Sequence, residues 1–341
     1  MTIPAGYQSL LGLRERERAI KLLKDHFESE LAKNVGLQRV TAPLFVKSKM
    51  GLNDDLNGVE KPVSFYVKQA DCEAELVQSL AKWKRFALRR YGFQPGEGLY
   101  TDMNAIRPDE TLDYIHSFYV DQWDWCQVIR PEDRNTETLK ATVRKIYAVL
   151  SETERFIASH YPQITPILPE EITFVTSEEL RTAYPEKTPL ERETEFCKKY
   201  GAIFIIGIGG QLSDGTIHDG RAPDYDDWTT PREDGGVGLN GDIVVWNPIL
   251  GRAFELSSMG IRVDAETLLR QLKIRGFEER AKLPFHQMLL NGELPQTRGG
   301  GIGQSRLCMF MLRCAHIGEV ACGIWPDEMA AEYAKAGVTL L

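Results

Sequence analysis

A run of glycines near residue 300 is suited to holding a flat ligand. Four of the five residues from Gly299 to Gly303 lack a Cβ atom, so a planar ring can lie directly against the backbone. The apolar residues after Arg306 predict a helix, and Arg306 falls in its first turn. The helix dipole disfavours a cation there, so we expect an anionic partner. The run is a candidate nucleotide shelf with Gly301 and Gly303 as binding residues; a turn with a solvated arginine is the alternative.

Two carboxylates lie in a predicted β-hairpin. Asp242 and Glu255 belong to two β-rich runs that are separated by the turn sequence from Asn247 to Gly251. A turn centred near Pro248 places the two acids roughly opposite each other. Facing carboxylates repel unless a proton or a cation lies between them, and beside a phosphate-binding loop this predicts Mg²⁺. A pairing shifted by one residue, with the acids on opposite faces, is the alternative.

Arg107 is a further candidate site residue. Arg107 directly precedes Pro108, which favours an extended backbone, and Asp109 and Glu110 follow. Arg107 adds a cation to the candidate site that the glycine run and the hairpin acids form. An ordinary surface ion pair is the alternative.

The segment 209–241 is a predicted functional loop. It is rich in Gly, Asp, Pro and Asn and has too little apolar periodicity for regular structure. Its core, from Arg221 to Trp228, carries three carboxylates and two aromatic rings. These groups suit an amine-bearing or cationic ligand, and a solvated acidic loop is the alternative.

These residues must be positioned by a mixed set of helices and strands. Apolar residues at helical spacing predict a long helix over about residues 9–34, with Gly36 as its stop signal. Residues 37–46 predict an edge strand, because Pro43 has no N–H to donate. The remaining patterns predict strands at 63–67, 117–123, 172–175 and 202–208, and helices at 75–91, 136–159, 263–275 and 305–315.

Composition limits the class of protein. The 341 residues fit either two domains of about 150 residues or one large domain with insertions, and a hydrophobic content of 43% is that of an ordinary folded chain. A net charge of −8 argues against a nucleic-acid partner. No stretch is apolar enough to cross a membrane, and the N-terminal residues lack a signal or transit pattern, which predicts a cytoplasmic protein without a membrane partner. The six cysteines have no zinc-type spacing and are expected to be reduced thiols.

The order of these features resembles the catalytic domain of class II aminoacyl-tRNA synthetases. A long helix leads to a strand with Pro43, Arg107 precedes acidic residues, and the segment 301–306 opens a helix, in the order of the three signature motifs of that class. More specific segments resemble the ammonia-dependent, type A asparagine synthetases, the aspartate–ammonia ligases. This likeness runs from about Ile20 to Trp325 and is carried by the segments 54–58, 79–85, 96–100, 120–125, 222–228 and 254–262.

The resemblance implies an α+β fold with a mostly antiparallel, synthetase-like sheet flanked by helices, in a single domain over residues 1–341. It implies a homodimer with the N-terminal helix and the Pro43 strand at the interface. The implied reaction is the ATP-dependent amidation of L-aspartate by ammonia through a β-aspartyl-adenylate. Its products are L-asparagine, AMP and pyrophosphate.

The resemblance also implies roles for single residues. Arg107 contacts the α-phosphate, Arg262 and Arg306 bind the rest of ATP beside Gly301 and Gly303, and Asp242 and Glu255 hold Mg²⁺. Asp54 or Asp226 takes the α-ammonium group of aspartate, and Asp54 is the preferred acceptor of the ammonium proton. Aspartate recognition as a whole is implied for Asp54, Ser79, Lys84, Gln122, Asp226, Ser257 and Ser258.

Two other interpretations are disfavoured. An aspartyl- or asparaginyl-tRNA synthetase needs an anticodon-binding module, and no ~100 residues are left over for an OB-type domain. A non-catalytic synthetase paralogue is expected to have lost its arginines or metal acids, whereas those residues are present. The departures from the family pattern are an acidic first loop, with Asn53, Asp55 and Asn57, and the tail beyond Pro326.

Overall fold

Helices and strands are mixed along the chain, whose computed structural model describes Pro4, residues 6–54, Leu56 and residues 60–341. The α-helices in this part are Leu13–Val35 (α1), Ala81–Tyr91 (α2), Thr136–His160 (α3), Ser177–Ala183 (α4), Pro189–Tyr200 (α5), Ala265–Arg275 (α6), Pro284–Leu290 (α7), Gln304–Met311 (α8) and Asp327–Lys335 (α9). The strands are Leu37–Arg39 (β1), Phe45–Lys47 (β2), Ser64–Val67 (β3), Cys72–Leu76 (β4), Gly98–Ile106 (β5), Tyr119–Val128 (β6), Thr173–Thr176 (β7), Ala202–Ile206 (β8), Asn240–Asn247 (β9), Arg252–Ile261 (β10) and Thr297–Gly303 (β11).

The main sheet has eight strands in the order β1-β5-β6-β11-β10-β9-β8-β7. Its outermost pairs, β1 with β5 and β7 with β8, are parallel, and the pairs between them are antiparallel. A second sheet has the order β2-β4-β3. The predicted α+β fold with a mostly antiparallel sheet flanked by helices is therefore confirmed. No helix of the described residues is long and apolar enough to cross a membrane.

The large apolar core lies on one face of the main sheet. Side chains alternate between the two faces of a strand, and on β6 the fully buried Trp123 and Trp125 point to this face. There they join an apolar cluster that includes residues of α1, α3 and α8, with the rings of Phe27 and Trp123 4.7 Å apart. Gln122 and Asp124, one position out of phase, belong to the opposite face. The sequence alternation of β6 thus separates a packed face from a polar one.

Several predicted elements differ from the structure. The predicted strand 37–46 is two strands in different sheets, because the chain breaks around Pro43, whose missing N–H cannot continue a ladder. The predicted helix 75–91 begins only at Ala81, and its first residues belong to β4. The glycine run is the central strand β11, which the sequence patterns did not indicate. The other predicted strands and helices are present, with ends displaced by a few residues.

Candidate active site

A cavity of about 420 Å³ lies on the polar face of the main sheet, where β6, β11 and β10 are neighbours. It gathers residues that are far apart in the sequence. The predicted site residues that line it are Asp54, Ser79, Lys84, Arg107, Gln122, Asp226, Glu255, Ser258, Arg262, Gly301, Gly303 and Arg306. Two predicted site residues, Asp242 and Ser257, do not line the cavity. Asp55, Asn57 and Gly58 of the first-loop segment lie outside the described residues.

The glycines of β11 form the floor of the cavity, which therefore has no side chains. Crowding by the neighbouring strands, and not only contact with a ligand, accounts for these glycines. A Cβ atom on Gly301 would lie 2.3 Å from the side-chain oxygen of Gln122, and one on Gly300 would lie 2.6 Å from Cβ of Met259. Gly300 cannot carry a side chain while β10 stays where it is, and a side chain on Gly301 would displace the Gln122 amide from the cavity wall. The Ser257 hydroxyl, on β10, donates a 2.9 Å hydrogen bond to the Gly301 carbonyl and so supports the floor from outside the cavity.

A buried lysine stands at one side of the floor. Lys84 on α2 donates through Nζ to the Asp124 carboxylate at 2.6 Å and to the Gly300 carbonyl at 2.9 Å. Burial lowers the pKa of Lys84, whereas the charge of Asp124 acts in the opposite direction. The second oxygen of Asp124 is buried without a hydrogen bond. A carboxylate ligand at this place would give Lys84 a second anionic partner.

A second buried ion pair comes from the loop 209–241. Arg262 at the end of β10 bonds to the Asp226 carboxylate, and both residues are almost fully buried although they line the cavity. The Tyr225 ring lies 5.5 Å from the Arg262 guanidinium, a cation–π distance. Burial raises the pKa of Tyr225 well above its usual value, so the ring stays neutral. Arg262 thus holds the Asp226 side chain in place at the cavity wall.

Two more arginines reach the cavity with loosely held guanidinium groups. Arg107 donates to the Gln78 carbonyl at 3.2 Å, while its Nε is buried without a hydrogen bond. Arg306, in the first turn of α8, lies 3.3 Å from the Glu255 carboxylate. The expected anionic partner of Arg306 is therefore Glu255. Together with Arg262, these side chains give the cavity three guanidinium groups, a charge that suits a polyphosphate.

The β-hairpin has a different register from the predicted one. Glu255 pairs with Val244 and Asp242 pairs with Ser258, with a β-bulge at Leu256 between the two pairs. The prediction that the acids face each other directly is wrong, because the turn is centred one residue later and the bulge adds a residue. The alternative, in which the two acids lie on opposite faces, is wrong as well. Val244 pairs with Glu255 and so shares its face, and Asp242, two residues before Val244 on the same strand, points to that face too.

The two acids still interact, and they have a partner from the acidic loop. Burial raises the pKa of Asp242 to about 7, with Arg221 opposing the shift and Glu255 adding to it. One oxygen of Asp242 accepts a hydrogen bond from the Arg221 guanidinium, and the other is buried without a hydrogen bond. In the described residues, no three His, Cys, Asp or Glu side chains form a metal-holding group.

Three polar residues of the site were given no role by the sequence patterns. Asp124 could have been found, because it lies two residues after Gln122 on the same strand face. Asp121 caps the start of α8 by accepting a 2.9 Å hydrogen bond from the Ser305 N–H, and a capping pair so distant in sequence leaves no pattern. Arg221 appeared only as the first residue of an acidic loop.

The chain matches a family model and has relatives over nearly its full length. A family model of aspartate–ammonia ligases matches residues 14–337. A protein of Clostridium perfringens named aspartate–ammonia ligase is 60% identical over 340 residues, which covers 99% of this chain and 98% of the relative. One from Parabacteroides distasonis, with the same name, is 56% identical over 339 residues, again 99% and 98% of the two chains.

The fold is shared with class II synthetases. The chain is similar to the crystal structure of asparaginyl-tRNA synthetase from Pyrococcus horikoshii complexed with asparaginyl-adenylate, with a TM-score of 0.65 and 14% identity. The match covers 91% of this chain and 70% of that one, and at such low identity it concerns the fold alone. The family model and the full-length relatives show that the chain belongs to the aspartate–ammonia ligase family.

Proposed function

We propose that the chain catalyses the ATP-dependent amidation of L-aspartate by ammonia through a β-aspartyl-adenylate, releasing L-asparagine, AMP and pyrophosphate. The observation that carries this proposal is the 60% identity to an aspartate–ammonia ligase over nearly the whole of both chains. The cavity agrees with it, because its arginines suit ATP and its ion pairs suit an amino acid with two carboxylates and an ammonium group. A non-catalytic paralogue would have no reason to keep these groups in one cavity.

The charges of the cavity suggest how aspartate is held. Lys84 is the buried cation for one carboxylate, and Ser79, Gln122 and Ser258 line the cavity as its neutral polar groups. Asp226 takes the α-ammonium group, since it is the carboxylate that Arg262 holds at the cavity wall. Ser257, whose hydroxyl is bonded to the Gly301 carbonyl, contributes through the floor rather than by contact.

The adenylation step needs charge neutralisation more than covalent help. The β-carboxylate oxygen of aspartate attacks the α-phosphorus and the bond to pyrophosphate breaks. Arg107 neutralises charge at the α-phosphate, and Arg262 and Arg306 neutralise the remaining phosphates. Ammonia then attacks the acyl carbon, the bond to AMP breaks, and Asp54 accepts the proton that the amine loses.

The hairpin acids fit a magnesium ion carried by ATP. Asp242 keeps one oxygen without a hydrogen bond, and Glu255 lines the cavity with only a 3.3 Å contact to Arg306. Mg²⁺ in nucleotide sites is bound by one or two carboxylates together with substrate phosphates, which matches two acids without a third. A bound Mg²⁺ would neutralise phosphate charge and orient the pyrophosphate leaving group. We assign Asp242 and Glu255 as its ligands.

The reaction itself is tested by its products and its nitrogen source. We expect AMP and pyrophosphate from ATP, and asparagine labelled from ¹⁵N-ammonium, with turnover rising as pH approaches the pKa of ammonia. Glutamine labelled at the amide should transfer almost no ¹⁵N, because no cysteine of the sequence has a histidine at a recognisable nucleophile spacing. ADP and phosphate as products, or efficient transfer from glutamine in ammonia-free reagents, would contradict the proposal.

Replacing the metal acids should change the magnesium requirement. In Asp242→Asn and Glu255→Gln, we expect the Mg²⁺ concentration for half-maximal activity to rise about tenfold or more, with lower turnover. Glu255→Gln should keep its fold, because it removes one charge of a repelling pair, whereas Asp242→Asn also weakens the ion pair with Arg221 and should lower the free energy of unfolding. A Mg²⁺ titration of pyrophosphate exchange measures the effect, with Glu266→Gln as the control, because Glu266 is an exposed acid that does not line the cavity. Titration curves that match the wild type in both variants would remove the metal assignment.

We also propose that the protein is a homodimer. Strand β1 is at the edge of the main sheet, with one pairing partner, and edge strands in proteins are usually covered. Apolar side chains are exposed directly after Pro43, at Leu44 and Phe45, and on β3, at Phe65 and Tyr66. The interface would therefore comprise β1, the Pro43 segment and α1. A cytoplasmic location stays a prediction from the sequence.

Sedimentation tests the dimer. We expect a dimer at micromolar concentration for the wild type and weaker association for Leu44→Asp, because the change places a charge in the proposed interface. Ile274→Asp is the control, since Ile274 is an exposed apolar residue on α6. A wild-type monomer, or equal loss of the dimer in both variants, would count against this interface.

A further inference from the structure

Arg221 belongs to the loop 209–241, but its side chain contacts Asp242 of strand β9, outside that loop. Its guanidinium is buried, bonds to Asp242 and lies 3.2 Å from the Asp219 carboxylate. Burial lowers the pKa of Arg221, whereas the charges of Asp242, Asp219 and Glu255 raise it, so all three acids lie within electrostatic reach of the guanidinium. Arg221 is thus the cation that compensates the two proposed magnesium ligands.

The position of Arg221 is built into the fold. Gly209 has a φ of +98°, and a Cβ atom there would approach Cβ and Cγ of Arg221 to 2.9 Å. The backbone carbonyl of Arg221 also accepts a 3.3 Å hydrogen bond from Arg275 on α6. A solvated arginine needs neither feature. The side chain is therefore held against the hairpin by glycine spacing on one side and by a neighbouring helix on the other.

Access to the two acids is unequal. Glu255 lines the cavity, whereas Asp242 is 7% exposed and does not line it. Among the described residues, Arg221 is the cation that bonds to Asp242, and the paired residue Ser258 lies beside the same carboxylate. A cation that enters the cavity and uses both acids would bind Asp242 through its second oxygen, beside the guanidinium, so two positive charges would oppose each other on one carboxylate.

We infer that Arg221 is a built-in counter-ion that keeps divalent cations off the Asp242–Glu255 pair until a nucleotide is bound. The inference rests on the proposed function, in which these acids bind the metal. A guanidinium and a metal ion compete for the same carboxylate, so the metal alone binds weakly. Phosphates offer the guanidinium another anionic partner, which frees Asp242 when ATP arrives. Metal and nucleotide therefore bind with positive coupling, and Arg221 is the positioning residue that produces it.

The test is binding of Mn²⁺ alone, followed by electron paramagnetic resonance of the free ion, without any turnover. We expect weak binding to the wild type and at least tenfold tighter binding to Arg221→Met. The gain should disappear in the double variant Arg221→Met, Asp242→Asn. Arg270→Met, which removes a charge of α6 that pairs with the exposed Glu266 and does not contact Arg221, should bind Mn²⁺ like the wild type.

A second measurement uses the coupling between ligands. A non-hydrolysable ATP analogue should tighten Mn²⁺ binding at least tenfold in the wild type and by a much smaller factor in Arg221→Met. Arg221→Lys keeps the positive charge but lacks the planar guanidinium group, so the ATP analogue should tighten its Mn²⁺ binding by a factor between those of the wild type and Arg221→Met. The lysine variant also serves as the test if the methionine variant does not fold. Unchanged Mn²⁺ binding in the folded Arg221 variants would overturn the inference. It would leave the reaction untouched, because the reaction is tested by its products and the metal acids by their own Mg²⁺ titration.

Discussion

Replacing Arg107 or Arg306 with alanine is expected to slow adenylate formation by about 100-fold or more, the usual loss when one preorganised charge-stabilising group is removed. Both guanidinium groups line the cavity, and neither has all of its N–H groups paired within the described part of the protein. Arg107 has one 3.2 Å hydrogen bond to a carbonyl, and Arg306 has a 3.3 Å contact to Glu255. The measurement is aspartate-dependent exchange of labelled pyrophosphate into ATP, which reports the first half-reaction without ammonia.

The matched control is Arg270→Ala. Arg270 lies on α6, pairs with the exposed Glu266 and does not line the cavity, so its loss should leave exchange at the wild-type rate. Thermal unfolding of all three variants should be similar to that of the wild type. Near-wild-type exchange in Arg107→Ala or Arg306→Ala would remove that arginine from the phosphate site.

Replacing Lys84 with methionine is expected to have the largest effect on folding stability and aspartate binding taken together. Lys84 is fully buried and bonds to Asp124 at 2.6 Å, so the variant leaves an uncompensated carboxylate in the interior. Breaking a buried ion pair in this way costs about 3–5 kcal/mol of folding free energy. Aspartate loses its buried cation as well, and we expect kcat/KM for aspartate to fall by about 100-fold or more, as for other truncated buried charge pairs.

A double variant separates stability from binding. Lys84→Met with Asp124→Asn removes both charges, so a large part of the lost unfolding free energy should return. The aspartate KM should stay high, since no cation is restored. Denaturant unfolding and the aspartate dependence of pyrophosphate exchange measure the two effects. If the stabilised double variant binds aspartate like the wild type, Lys84 holds the fold and does not recognise the substrate.

The composition of the site could be predicted to a large extent. The shelf glycines, Arg107 and the acids of the hairpin were indicated by residue type and local spacing, and the cavity does contain Gly301, Arg107 and Glu255. The polar face of β6 follows from alternation alone, which places Gln122 and Asp124 together. Such patterns are local, because a strand turns every second side chain to the same face whatever it packs against.

Register and strand assignment were harder to predict. A β-bulge at Leu256 changes which residues face each other across the hairpin, and nothing in the residue types around it marks the extra position. The glycines of β11 resemble a loop by propensity, yet they form a central strand because β6 and β10 leave no room for a Cβ atom. Tertiary packing overrides propensity at both places.

The sequence by itself determined the family, the α+β class and the kinds of charge at the site, since these depend on residue identity and period. The tertiary structure alone decided which charges meet. Lys84 contacts Asp124, and Arg221 contacts Asp242, through pairs brought together from different elements. Ion pairs of this kind follow from how helices and loops pack on the sheet, and that packing is set by shape and burial over the whole chain, not by any repeat that the residues themselves display.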